Sequence, residues 1–217
     1  ESEADLVDSG LRYDLTVPLS RYYANNANEL PAPFKALQMG NVWRADRPQR
    51  GRFRQFMQCD IDILGEPTYL AEIELILATT TLLGKLDFKN FTIRINNRKM
   101  LKGLAKYCGF PEESYDDVFI ILDKMDKIEM SGVEAELLEA GYDKEAVEKC
   151  KNLFETVTND LDGVRYMKET LGDCLEEGVA EDLETIIQTV EKVKAADFKI
   201  AFDPTLVRGM SYYTGPI

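Results

Sequence analysis

Polar and apolar residues alternate in short stretches along the first part of the chain. Leu11, Tyr13, Leu15 and Val17 alternate with Arg12, Asp14 and Thr16, the period-two sign of a half-buried strand. Pro18 then opens a helical turn. Residues 34–44 predict a second strand and residues 52–64 a long third one. The connection between them is punctuated by Pro48 and Gly51, so the two strands predict an antiparallel hairpin with a long basic tip. Thr68 is placed to cap a helix running to Leu83, with Gly84 just past its end and Ile73, Ile76, Leu77 and Thr80 on one face. Phe91, Ile93 and Ile95 alternate again and predict another strand.

After Asn97 the period changes. Val118, Leu122 and Met125 keep helical spacing, as do Val147, Cys150, Phe154 and Val157, and later Leu183, Ile186, Ile187, Val190 and Val193. Breaks are expected at Gly109, Pro111, Ser131-Gly132, Gly141 and Gly172. Strand-like sequence returns at residues 198–202. A sheet protein interrupted by helices and then resumed is an α+β fold. The expected division is a first core part at 1–97, a helical insertion domain at 98–196 and a return segment of the core at 197–217.

Composition narrows the partners. The chain has 217 residues and 45% hydrophobic content, enough for a packed core. No apolar run reaches the roughly 18–20 residues of a membrane span, so no membrane partner is expected. The formal net charge of −13 makes the chain a poor general binder of nucleic acid, so any RNA contact must be local. One basic island exists: Arg44, Arg47, Arg50, Arg52 and Arg54, with Asp46 the only acid among them. There is no histidine, which excludes Ser–His and Cys–His nucleophiles, and no CxxC pair, so no structural metal is expected. Scattered cysteines point to a reducing, cytoplasmic setting, and Cys59, on a strand, reads as core. The chain starts at Glu1 rather than methionine and stops at Ile217 in what reads as the opening of a strand. A piece of a longer protein is the expectation.

The third strand carries the sharpest chemistry. Taken by twos, Arg52, Arg54, Phe56, Gln58, Asp60 and Asp62 share one face, while Phe53, Met57, Cys59, Ile61 and Ile63 share the other. An alternating polar row on one strand is more often an ordinary solvated face. Here the order is cations, then an aromatic, then carboxylates, which suits a ligand that is anionic, then planar, then cationic. Arginine binds phosphate oxygens in pairs, an aromatic stacks a base, and a carboxylate accepts from an ammonium or an imidazole N–H. A nucleotide joined to an amino acid is such a ligand. The first strand adds Arg12, Asp14 and Thr16, and the last residues add Arg208 with Tyr212 and Tyr213, a pair that alone reads as core.

Three stretches together resemble the histidyl-tRNA synthetase family. They are Leu11-Arg12-Tyr13-Asp14-Leu15-Thr16-Val17-Pro18, the run from Val42 to Phe56, and Leu206-Val207-Arg208-Gly209-Met210-Ser211-Tyr212-Tyr213-Thr214-Gly215. The second is similar to the family's motif 2 and the third to its histidine-specific motif. The resemblance implies a class II aminoacyl-tRNA synthetase fold, an antiparallel sheet flanked by helices, that joins histidine to tRNA using ATP with Mg2+. It implies that Arg44 holds the α-phosphate and the histidine carboxylate, with Arg208 as a second cation and Gln58 completing the catalytic set. Asp14, Leu15, Thr16 and Gln58 would hold the histidine ammonium and its surroundings, and Asp62, Tyr212 and Tyr213 the imidazole. Asp46, Arg52 and Phe56 would join Arg44 at ATP, and Arg47, Gln49 and Arg50 would touch the tRNA acceptor stem.

The same resemblance implies a homodimer in the complete protein. The family's motif 1 would precede Glu1, and its motif 3 and anticodon-binding domain would follow Ile217. Asp14 and Asp46 stand where many bacterial members have Glu, and Ser211 where an acid or amide is common. Two rivals share the fold. One is the non-catalytic regulatory subunit of ATP phosphoribosyltransferase, which tends to lose the motif 2 cations that are kept here at Arg44 and Arg52. The other is the synthetase-like sensor domain of stress-response kinases, and no kinase motif occurs in this chain.

Overall fold

The computed structural model describes residues 7–208 and 213–217. The described chain forms two compact units, one ending at Ala71 and the other beginning at Glu72.

The first unit holds a helix, α1 (Thr16–Asn26), and a hairpin of β1 (Phe34–Trp43) and β2 (Gln55–Leu64). The strands pair antiparallel, with Phe34 opposite Leu64 and Trp43 opposite Gln55. The pairing continues past the strand ends, where the Arg44 N–H donates to the Arg54 carbonyl at 2.9 Å. Gly51, at φ 78°, supplies the left-handed residue that turns the tip back on itself. Residues 11–14 form no strand, contrary to the alternation. The Asp14 carboxylate accepts the Val17 N–H at 3.2 Å, which turns the chain into α1 from Thr16, with Pro18 in the first turn. The alternation did not mark one buried face either: Leu15 is buried, but Leu11, Tyr13 and Val17 are exposed.

The hairpin also reverses an expectation about its faces. Phe56, Gln58, Asp60 and Asp62 are half-covered, whereas Met57, Cys59 and Ile61 on the reverse face are exposed, as are Leu37 and Met39 on β1. Cys59 is therefore not a core residue.

The second unit begins within α2 (Leu70–Lys85) and continues through β3 (Phe91–Ile95), α3 (Arg98–Cys108), α4 (Tyr115–Leu122), α5 (Met125–Glu139), α6 (Lys144–Thr156), α7 (Leu161–Leu171), α8 (Val179–Val193) and β4 (Phe198–Phe202). β3 and β4 pair in parallel, with Phe91 stacked on Phe198 at 5.5 Å between ring centres. Alternation fixes neither the direction nor the partner of a strand, so this parallel pair was not foreseeable. Helices α7 and α8 pack on β4, α3 packs on α6, and α4 packs on α5. The fully buried Phe119, Phe202, Met100, Leu104, Leu137 and Met167 fill the space between them.

Two glycines depart from their expected roles. Gly84 lies inside α2, not beyond it, and the left-handed residue after the helix is Asp87. Gly84 is small because a Cβ there would come within 3.1 Å of the Ala196 Cβ. Gly132 lies within α5, whose backbone instead breaks at Glu129 (φ 57°). Gly109 and Gly141 do fall at helix ends with positive φ, as expected.

Asp160 caps α7 by accepting the Gly163 N–H at 3.0 Å, and its carboxylate also accepts the Thr158 hydroxyl at 2.6 Å. That turn is so tight that a Cβ on Gly163 would lie 1.8 Å from the Thr158 carbonyl oxygen. Backbone cannot yield as a side-chain tip can. Gly163→Ala is therefore expected to destabilise the chain by about 2–3 kcal/mol, within the range for overpacking. Chemical denaturation would check this, and a midpoint equal to the parent's would show that the turn relaxes freely.

Candidate active site

The β1–β2 register gathers the polar row. Gln58 stands opposite Gly40, Asp60 opposite Gln38, Asp62 opposite Ala36 and Phe56 opposite Val42. Directly opposed residues share a face, and the space that a side chain at Gly40 would take is filled by Arg12 and Leu15. Arg44, just past β1, projects its guanidinium between two aromatic rings, 4.5 Å from the centre of Tyr13 and 5.1 Å from that of Phe56. Both distances are within cation–π range. Its Nε is buried and has no acceptor among the described residues. Burying a donor without a partner is costly, and an incoming anion would relieve that cost. A cleft of about 240 Å³ opens beside it, lined by Arg44, Asp46, Gly51, Arg52, Phe53 and Phe56.

Further along β2 the chemistry turns to acceptors. The Gln58 amide N–H2 donates to both oxygens of Asp60 at 3.1 Å, which leaves Gln58 Oε1 buried without a donor among the described residues. The Gln38 amide reaches Asp62 at 3.5 Å. Burial pushes the Asp62 carboxyl above the usual aspartate value. The Gln38 hydrogen bond opposes that rise and the neighbouring Asp60 carboxylate adds to it. An unpartnered acceptor beside two carboxylates is an environment for a cation.

The segment before α1 runs along the same hairpin. Tyr13 stacks on Arg44, and the Arg12 and Leu15 side chains lie beside Gly40. Asp14, Leu15 and Thr16 follow at the start of α1, with Leu15 buried. Arg47, Gln49 and Arg50 are exposed on the hairpin tip, where Gln49 and Arg52 exchange backbone hydrogen bonds at 2.9 and 3.2 Å.

Arg208 and Tyr213 belong to the second unit, and Tyr212 and Ser211 lie outside the described residues. Arg208 is exposed, and its chain is held from both sides by a polar junction between β3 and α3. The fully buried Asn96 donates to the carbonyls of Pro204 and Leu206 at 3.4 and 3.1 Å. Its backbone exchanges hydrogen bonds with Ile217 at 3.0 and 2.8 Å. Asn97 caps α3, and the Arg98 N–H donates to the Gly215 carbonyl at 2.8 Å. Buried Asp203 pairs with Arg94 at 2.8 Å and accepts from Thr205.

The hairpin thus brings together Arg44, Asp46, Arg52, Phe56, Gln58 and Asp62, and the segment containing Asp14 lies along it. Sequence reasoning missed Tyr13, which it had assigned to an apolar face, and the Asn96–Asn97–Asp203 junction. The signal for the junction was present as two amides and an arginine, Asn96-Asn97-Arg98, directly after an alternating strand.

An antiparallel hairpin that lines up arginine, an aromatic plate, an amide and carboxylates, in an α+β chain, defines a class II aminoacyl-tRNA synthetase core. The family model for histidyl-tRNA synthetase matches residues 7–217. A histidine–tRNA ligase from Leifsonia xyli is 45% identical over 98% of this chain and 50% of its own length, and one from Christiangramia forsetii is 39% identical over 99% and 47%. The crystal structure of histidyl-tRNA synthetase from Nostoc is 31% identical with a TM-score of 0.79, covering 94% of this chain and 48% of that one. A Bacillus halodurans structure described as an ATP phosphoribosyltransferase regulatory subunit/histidyl-tRNA synthetase is 20% identical, with a TM-score of 0.77 over 94% and 52%, a likeness of fold alone. The chain belongs to the histidyl-tRNA synthetase family, and it spans about half the length of the curated relatives it matches.

The raised Asp62 value generates a pH prediction. The folded chain holds this proton more tightly than the unfolded chain does. The group therefore favours folding below its ordinary value of 3.8 and loses that contribution as pH rises through the folded value. Asp62→Asn is expected to melt higher than the parent at neutral pH, by a margin that shrinks as the pH falls toward 3.8. Thermal melts across that range test it, and an equal or lower melting point at neutral pH would show that burial does not strain this carboxylate.

Proposed function

We propose that this chain is the catalytic core of a histidine–tRNA ligase, with residues 98–196 a helical insertion between core segments 1–97 and 197–217. The observation that carries the reading is the Arg44 guanidinium, stacked between Tyr13 and Phe56 with a buried Nε awaiting an acceptor. In the first step a carboxylate oxygen of histidine attacks the α-phosphorus of magnesium-bound ATP. The bond to the β-phosphate oxygen breaks, and pyrophosphate leaves with that electron pair. Two anions must approach each other, so fixed cations lower the barrier as charge builds on the phosphoryl oxygens. Arg44 serves the α-phosphate and the reacting carboxylate, with Arg208 as the second cation and Gln58 at the ammonium. Arg52 takes the outer phosphates, Phe56 stacks the adenine, and Asp46 completes the nucleotide site.

In the second step a ribose hydroxyl of the terminal tRNA adenosine attacks the histidyl carbonyl, and AMP leaves. The amino acid is held at its ammonium by Asp14, Thr16 and Gln58, with Leu15 beside them. Its imidazole is read by Asp62, Tyr212 and Tyr213. Hydrogen-bonding partners select strongly, because a side chain without donors would leave buried acceptors unpaired. The exposed tip residues Arg47, Gln49 and Arg50 meet the acceptor stem. This local basic patch supports RNA contact despite a net charge of −13. The complete protein is proposed to act as a homodimer in the cytoplasm. Among the described residues no helix is long and apolar enough to cross a membrane.

Histidine-dependent ATP–pyrophosphate exchange by the complete gene product tests the reading. Exchange with histidine and with no other amino acid is the expected result. Histidine binding without exchange would favour the regulatory subunit. Arg44→Ala is expected to lower exchange on the order of a hundredfold to a thousandfold, the scale for losing one preorganised charge stabiliser. Arg47→Ala with Arg50→Ala should leave exchange near the parent's. The pair should weaken tRNA charging and flatten its salt dependence by about one logarithmic unit per lost phosphate contact.

A further inference from the structure

Gly40 lies in the middle of β1, opposite Gln58 and on the same face. Its φ is not among the positive values found at the turn glycines, so conformational freedom does not explain it. Space does. A Cβ at this position would lie 2.5 Å from Arg12 Nη2, 3.4 Å from its Cζ and 3.5 Å from Leu15 Cδ2. The Arg12 guanidinium rests on the bare Cα of Gly40.

Arg12 is also fastened to β1 at two points just beyond that seat. Its Nε donates to the Asn41 carbonyl at 2.8 Å, and its own carbonyl accepts the Trp43 N–H at 2.9 Å. Alternate residues of an antiparallel strand turn their backbone groups to opposite edges. The Arg44 N–H crosses to the Arg54 carbonyl, so Asn41 and Trp43 present theirs to the edge that β2 leaves open. Arg12 occupies that edge while its side chain folds over the site face. Two residues on, Asp14 stands between Tyr13, which stacks on Arg44, and Leu15, which is buried beside Gly40. Asp14 Oδ1 is already engaged by the Val17 N–H, so the position of its carboxylate follows that of the 12–15 segment.

We propose that Gly40 and Arg12 act as a pair of positioning residues that seat the 12–15 segment on β1 and thereby set where Asp14 meets the substrate ammonium. The proposal rests on the histidine-activating reading above. Both act through the segment, not on the substrate. A methyl group at position 40 displaces the guanidinium, and loss of the guanidinium frees the segment. The two changes therefore act through one contact.

The test uses the complete gene product and steady-state exchange kinetics, with melting curves to establish folding. Gly40→Ala and Arg12→Ala are each expected to raise the KM for histidine on the order of tenfold to a hundredfold, the scale for a misplacement near 1 Å. KM for ATP should stay near the parent's. The double variant should be no worse than Arg12→Ala alone, because the methyl then has nothing to displace. Arg12→Lys should behave like Arg12→Ala, since it keeps the charge and loses the planar Nε donor; it carries the test if Gly40→Ala does not fold. Binding of imidazolepropionate, which is histidine without its ammonium, should be unchanged in every variant. Additive losses in the double variant, an equal rise in the KM for ATP, an equal loss of imidazolepropionate binding, or an unchanged histidine KM would each overturn the proposal. Absence of histidine-dependent exchange in the parent would instead sink the underlying activity and leave the pairing of Gly40 with Arg12 to be judged on binding alone.

Discussion

Every candidate residue that the hairpin carries hangs on the register between β1 and β2. Side chains on a strand alternate with period two, so a slip of one residue would send Phe56, Gln58 and Asp62 to the reverse face and bring Met57, Cys59 and Ile61 forward. The pairing from Phe34–Leu64 to Trp43–Gln55 prevents this, and the extra backbone bond from Arg44 to Arg54 carries the lock into the tip. Gly40 falls opposite Gln58, so the same register that collects the polar groups also leaves the seat that Arg12 fills. The segment before α1 depends on it in turn, because Arg12 binds backbone groups that only this pairing leaves exposed.

The second unit solves a different problem with buried polar groups. Arg208 and Tyr213 lie on chain with little regular structure. Such chain keeps a fixed path only where its backbone groups find partners. Asn96, the Arg98 N–H and Asp203 supply them from the ends of β3, α3 and β4. An amide that donates to two carbonyls at once does the work of a further strand in less space. The hairpin supplies its groups by periodicity and the second unit by cross-linking.

Most of the strands and helices were legible because their periods are long and unbroken, as in β2 and α8. The polar row of β2 was legible for the same reason. The stretch at residues 11–17 was misread because period two is necessary for a strand and not sufficient. A single hydrogen bond from the Val17 N–H to the Asp14 carboxylate helps turn the chain into a helix, and no apolar face is buried to resist it. Gly84 and Gly132 were misread because a glycine that makes room for a neighbour looks, in sequence, like one that makes a turn. Gly40 is the same case inside a strand, and only the position of Arg12 reveals its use. The parallel pairing of β3 with β4 joins residues far apart in the chain, which no local pattern encodes.

The four cysteines fall into three chemical environments. The Cys150 thiol is held well above its ordinary value, first by its hydrogen bond to Cys108 and then by burial, and Cys108 is equally enclosed. Cys174 is partly covered, while Cys59 is exposed on the strand that bears Gln58 and Asp60, facing the other way. A thiol-directed fluorophore would therefore react first at Cys59 and report from the back of the polar row of β2. The chain carries, without any substitution, an attachment point one peptide bond from Gln58 and from Asp60 that faces away from both.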